Sequence, residues 1–122
     1  MTKAEREFTR AVTEKVMGWH MDGRWWKKAG VPVLCVFDWD PLHNDTDARL
    51  LLERWCKTDI SRIADLSYSY SCKTGQWSAD ATLRQAAGTG EMTYSWRESP
   101  HLRIAICYAV AQAVGVETGK GE

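Results

Sequence analysis

The stretch Leu66-Ser67-Tyr68-Ser69-Tyr70-Ser71-Cys72 alternates an apolar or aromatic side chain with a serine at every step. A period of two marks a strand with one apolar and one polar face. After a turn at Lys73-Thr74-Gly75-Gln76 the pattern resumes, with Trp77, Ala79, Ala81 and Leu83 on the apolar side. A second turn, Gly88-Thr89-Gly90, leads to Met92, Tyr94 and Trp96 at the same spacing. Three alternating runs joined by short turns predict a three-stranded antiparallel meander.

Helices are expected on both sides of this meander. Downstream, Ser99-Pro100 reads as an N-cap followed by the favoured first-turn proline, so a helix is predicted over His101 to Val114 with Gly115 beyond its end. Leu102, Ile104, Ala105, Ile106, Ala109, Val110, Ala113 and Val114 make it apolar nearly all round, which demands cover on more than one side. A second subunit is one source of that cover. Upstream, Asn44 or Asp45 caps a helix whose apolar face is Leu51, Leu52 and Trp55, running to about Lys57. Before it, Val31 to Phe37 reads as a strand, with Pro32 at its start or on an edge, and residues 19–30 as a turn or a hairpin. At the N-terminus, Thr2 and Glu5 stand at capping-box spacing ahead of the stripe Ala4, Phe8, Ala11, Val12 and Val16, with Gly18 closing the helix. The order α, β, α, β-β-β, α lacks βαβ repetition and a Gly-rich phosphate loop. It predicts an α+β fold, an antiparallel β-sheet packed between helices as an α-β-α sandwich. Residues 1–122 form a single domain in this reading, with 117–122 as a flexible tail.

Composition narrows the function. The chain has 122 residues, 16 Lys+Arg against 16 Asp+Glu, and 7 Trp. A neutral chain is a poor general binder of nucleic-acid polymers, whose affinity comes from many cation–phosphate contacts. No apolar run is long enough to span a membrane, and the charged N-terminus has no apolar region of a secretory signal behind it. Cys35, Cys56, Cys72 and Cys107 are widely spaced, which fits reduced thiols in a cytoplasmic protein better than a zinc ribbon.

Three groups of residues carry possible chemistry. Asp38, Asp40, His43, Asp45 and Asp47 sit in a segment without Lys or Arg, and such carboxylates can hold a divalent cation. The ordinary reading is a polar loop with helix-capping acids, and no metal or cofactor is assigned. Histidines His20, His43 and His101 stand in no nucleophile or metalloprotease motif, so nothing points to an enzyme. In the cluster Arg24-Trp25-Trp26-Lys27-Lys28, cations lie beside rings, the pairing that stacks on a base and grips a phosphate. A second such set is Trp77, the strand-end Arg97, and Arg103 in the first turn of the last helix, where an arginine beside a helix N-terminus suits an anion.

Four pieces in order carry a resemblance: Val16-Met17-Gly18-Trp19, then Trp39-Asp40-Pro41 with the helix Asp47-Ala48 to Trp55, then the aromatic-rich strands, then Arg103-Ile104-Ala105-Ile106-Cys107-Tyr108-Ala109. Together they resemble the phage αβα-sandwich domain family over nearly the whole chain. That family includes the first type of Thoeris anti-defence protein, sponges that bind cyclic ADP-ribose isomers without cleaving them. Some members also bind cyclic oligonucleotides. The resemblance implies a homodimer or homohexamer in the bacterial host cytoplasm. It implies a small cyclic nucleotide as ligand and a site using Arg103 of the last helix. Trp77 is the candidate for stacking on adenine, and Arg24 and Arg54 match further arginines. Arg97 joins these ligand-binding candidates on its position alone. The expected function is therefore an anti-defence sponge. The alternatives are a phage protein-interaction module with tryptophan anchors, and a metal-dependent phosphodiesterase built on the Asp38–Asp47 segment.

Overall fold

The computed structural model describes residues 2–98 and 101–117. Along them run helix α1 (Lys3–Met17), short strands β1 (His20–Asp22), β2 (Trp25–Lys28) and β3 (Val31–Cys35), a 3-10 turn (Val36–Asp38), helix α2 (Asp45–Lys57), strands β4 (Ile63–Ser71), β5 (Gln76–Ala87) and β6 (Gly90–Glu98), and helix α3 (Leu102–Ala113). The strands form two three-stranded antiparallel sheets, β1-β2-β3 and β4-β5-β6. The fold is α+β, with the three helices packed against the sheets in a sandwich-like arrangement.

Register explains the layers. Leu66 pairs with Ala81, Tyr68 with Ala79 and Tyr70 with Trp77, while Ala81 pairs with Trp96 and Leu83 with Tyr94. These residues therefore share one face of the second sheet. On it, Ala79, Ala81 and Leu83 are fully buried under α3. The opposite face is polar: Asp80 accepts from Arg97 at 2.7 Å and from the Ser69 hydroxyl at 3.3 Å, and Asp65 accepts from Arg84 at 2.6 Å.

Every residue of α3 from Ala105 to Ala111 is buried. The chain supplies this cover itself, where the apolar composition had left room for a second subunit. The sheet lies on one side of α3 and α2 on another. Tyr108 bridges the layers, with its ring centroid 4.8 Å from Phe8 of α1 and 4.9 Å from Trp96 of β6. The proposed cap at Ser99-Pro100 lies outside the described residues. The helix begins at Leu102, with His101 as N-cap; its carbonyl accepts from the Ile104 and Ala105 N–H groups, and its side chain makes no capping bond. At the other end Val116 N–H donates to Ala111 O at 2.9 Å and Gly115 N–H to Gln112 O at 3.3 Å. This paired closure needs the left-handed φ of 77° at Gly115, which glycine adopts without strain. Of the expected tail, residues 118–122 also lie outside the described residues.

The N-terminal half forms as its capping signals predict. The Thr2 hydroxyl accepts from Glu5 N–H and the Glu5 carboxylate accepts from Thr2 N–H, each at 3.1 Å. Asn44 caps α2 by accepting from Asp47 N–H at 3.0 Å. Between these helices the first sheet contributes Trp26 to the core, 6.3 Å from the Trp19 ring, and Trp19 lies 5.1 Å from Trp39. The Trp39 indole N–H donates to the buried Thr13 hydroxyl at 2.8 Å.

Candidate functional site

α3 roofs β5 and β6 but leaves much of β4 uncovered, so Leu66 and Tyr68 stay 40% and 57% exposed on the apolar face. Above them the starts of α2 and α3 approach, and the three elements enclose a cleft of about 380 Å³. Leu66 and Tyr68 come from β4, Asp45 and Arg49 from α2, and Leu102, Arg103 and Ile106 from α3. Asp45 is the first residue of α2 and Leu102 the first of α3, so the positive ends of two helices border one cleft.

Arg103 is the best-positioned cation there. Its Nε–H donates to the Leu42 carbonyl at 3.0 Å, and its Nη1 lies 3.5 Å from Asp45 Oδ1. Its side chain is 24% exposed. The carbonyl bond fixes the guanidinium plane, and neither contact uses Nη2. A fixed guanidinium loses less side-chain freedom on gripping an anion than a mobile one. Arg49 adds a second cation one helical turn after Asp45.

The sequence-derived candidates separate in space. Trp77 lies on the same sheet face as Tyr68, two residue pairs further along. It is 53% exposed, and its ring centroid is 5.1 Å from that of Tyr70. Arg103 lines the cleft and Trp77 does not; Trp77 stands on the aromatic strip that continues from Tyr68 to Tyr70 along the same sheet face. Arg97 is on the opposite face, bound to Asp80. Arg24 sits between β1 and β2 in the first sheet, where its carbonyl accepts from Val36 N–H at 2.8 Å. Arg54 is exposed in the last turn of α2, the far end of that helix from Asp45. These three arginines do not line the cleft. In the Arg24–Lys28 cluster, Trp26 belongs to the core and Lys27 pairs with Asp22 at 2.7 Å. Sequence reasoning missed Arg49 and Tyr68. The spacing of Asp45 and Arg49 placed them on one helix face; what it did not show was where the roof of α3 stops.

The acidic loop is tied into local bonds. Asp47 accepts from Asp40 N–H at 2.9 Å. His43 lies between the carboxylates of Asp40, 3.0 Å from Nδ1, and Glu5, 3.2 Å from Nε2. Among the described residues no three His, Cys, Asp or Glu side chains come together as metal ligands would. The backbone N–H of Thr2 holds the Glu5 carboxyl below its usual pKa, with the Thr2 hydroxyl bond and the charge of His43 adding to the effect against partial burial. Burial pushes the thiol of Cys107 far above its ordinary range, so it packs as an apolar group.

A second cavity of about 460 Å³ lies between α1 and the 3-10 turn, lined by residues that include Met21, Phe37 and Trp39. It brings in Arg6 and Asp40, one charge of each sign, where the first cleft has two arginines against one aspartate.

Comparison with protein-family models, with curated proteins and with solved structures finds no match to this chain.

Proposed function

We propose that this chain is an anti-defence sponge of the phage αβα-sandwich kind. It captures a cyclic ADP-ribose-type signal in the cleft between α2, α3 and β4 and holds it uncleaved, blocking Thoeris-type immunity. The observation that carries this reading is Arg103, oriented by the Leu42 carbonyl beside an exposed aromatic floor. Phosphates bind Arg103 and Arg49 near the helix N-termini, while an adenine ring stacks on the strip of Tyr68, Tyr70 and Trp77. A cleft of about 380 Å³ lies within the range of roughly 300–1,000 Å³ usual for small-molecule sites. A sponge works by slow release, which fixed charged hydrogen bonds favour over mobile ones. As proposed, the protein acts in the host cytoplasm as a homodimer or homohexamer.

Native mass spectrometry with cyclic ADP-ribose isomers and cyclic oligonucleotides reads oligomer size and ligand mass together. The expected result is a stable complex that returns ligand of unchanged mass when heated. Recovery of a hydrolysed product turns the reading towards an enzyme. One observation favours a second reading. Tyr70 and Trp77 are both about half exposed, and exposed aromatic pairs also anchor protein partners. A protein-interaction module shows no small-ligand complex in the same spectra.

A further inference from the structure

We propose that Asp45 makes this cleft selective for a ribose phosphate, its carboxylate accepting the sugar diol while the phosphate binds Arg103 and Arg49. The inference rests on the reading of the cleft as a nucleotide site. A carboxylate is costly beside a purely anionic ligand, because like charges a few ångströms apart repel. Yet Asp45 lines the cleft, its side chain 78% exposed and its Oδ1 3.5 Å from Arg103 Nη1. At that distance the contact is at the weak limit of a hydrogen bond, so the carboxylate keeps most of its acceptor capacity.

Two guanidinium groups against one carboxylate leave the cleft with a single surplus positive charge. A ligand that satisfies all three groups presents an anion and hydroxyl donors side by side. A ribose carrying a phosphate does so, with the diol and the phosphate on different edges of one small ring. Asp45 and Arg49 are spaced to meet such a ligand. They stand one turn apart on α2, about 6 Å along the helix axis. Beneath them Leu66 and Tyr68 offer an apolar and aromatic floor to the sugar ring or its base. The helix N-termini favour any anion; Asp45 is the group that tells a sugar phosphate from a bare one.

The test is calorimetric titration of the full chain with adenosine 5′-monophosphate and with its 2′,3′-dideoxy counterpart. It is made on the wild type, Asp45→Asn and Asp45→Ala. The wild type is expected to favour the diol by roughly tenfold, as befits hydrogen bonds to a charged acceptor. In Asp45→Ala that preference should fall to about twofold or less. The dideoxy probe should bind the variant at least as well as the wild type, because the carboxylate no longer opposes the phosphate. Asp45→Asn is expected to lie between. A purely structural role for Asp45 would weaken both probes equally in the variants, and that result overturns the proposal. A wild type that ignores the diol, by binding both probes alike or neither, overturns it too. Arg103-dependent capture of cyclic ADP-ribose is decided separately, by its own titration.

Discussion

Thr13 and Trp39 show what one buried polar contact does for this protein. Thr13 is fully buried and Trp39 nearly so, and the indole N–H has the threonine hydroxyl as its acceptor at 2.8 Å. Thr13→Val keeps the shape and removes the acceptor, leaving the buried indole donor without this partner. We expect a loss of about 1–3 kcal/mol, read as a lower denaturation midpoint at unchanged slope in urea. Trp39 stood out in the sequence as part of a motif, but its hydrogen-bond partner did not, because a threonine inside a helix carries no sign of what it will meet. Arg103 is the opposite case. A cation in the first turn of an apolar helix contradicts the local electrostatics, and that conflict was visible in the sequence. The fold resolves it with the Leu42 carbonyl and the Asp45 carboxylate, both far away in the chain.

At the scale of elements, capping chemistry set which boundaries could be read. The start of α1 is determined by Thr2 and Glu5 acting on each other's backbone, a local pairing that sequence spacing reports directly. The same pairing makes the helix start sensitive to pH. Glu5 is held below its ordinary value of 4.5 in the folded chain, so its contribution is complete above that value and is lost as pH falls through the folded pKa. Glu5→Gln removes the carboxylate that accepts from Thr2 N–H. In thermal unfolding scans we expect the variant to lose stability at neutral pH and to show a smaller further decline on acidification than the wild type. An unchanged decline would show that groups other than Glu5 carry the acid sensitivity. The start of α3 was harder to read, because His101 caps it through its carbonyl alone. The alternation in β4 gave the strand correctly, but a strand pattern says nothing about how far a neighbouring helix reaches across it. For that reason the pattern places Tyr68 on the apolar face without showing that it is part of an open floor.

The whole molecule explains how a chain of zero net charge can hold the proposed anion site. Several of its charges cancel in local pairs. The polar face of the second sheet pairs Arg97 with Asp80 and Arg84 with Asp65, the first sheet pairs Lys27 with Asp22, and Arg49 and Arg103 meet where two helices begin. Sequence order could not reveal this, since Arg97 and Arg103 are near neighbours in the chain yet lie on opposite sides of the sheet. The measurement that tests the account most directly is calorimetric titration of cyclic ADP-ribose isomers into the wild type, Arg103→Ala and Arg97→Ala. The prediction is binding by the wild type, loss of at least about tenfold in affinity for Arg103→Ala, as expected for a charge-assisted phosphate contact, and unchanged affinity for Arg97→Ala. Equal affinity in the wild type and Arg103→Ala, or a loss confined to Arg97→Ala, would contradict the account.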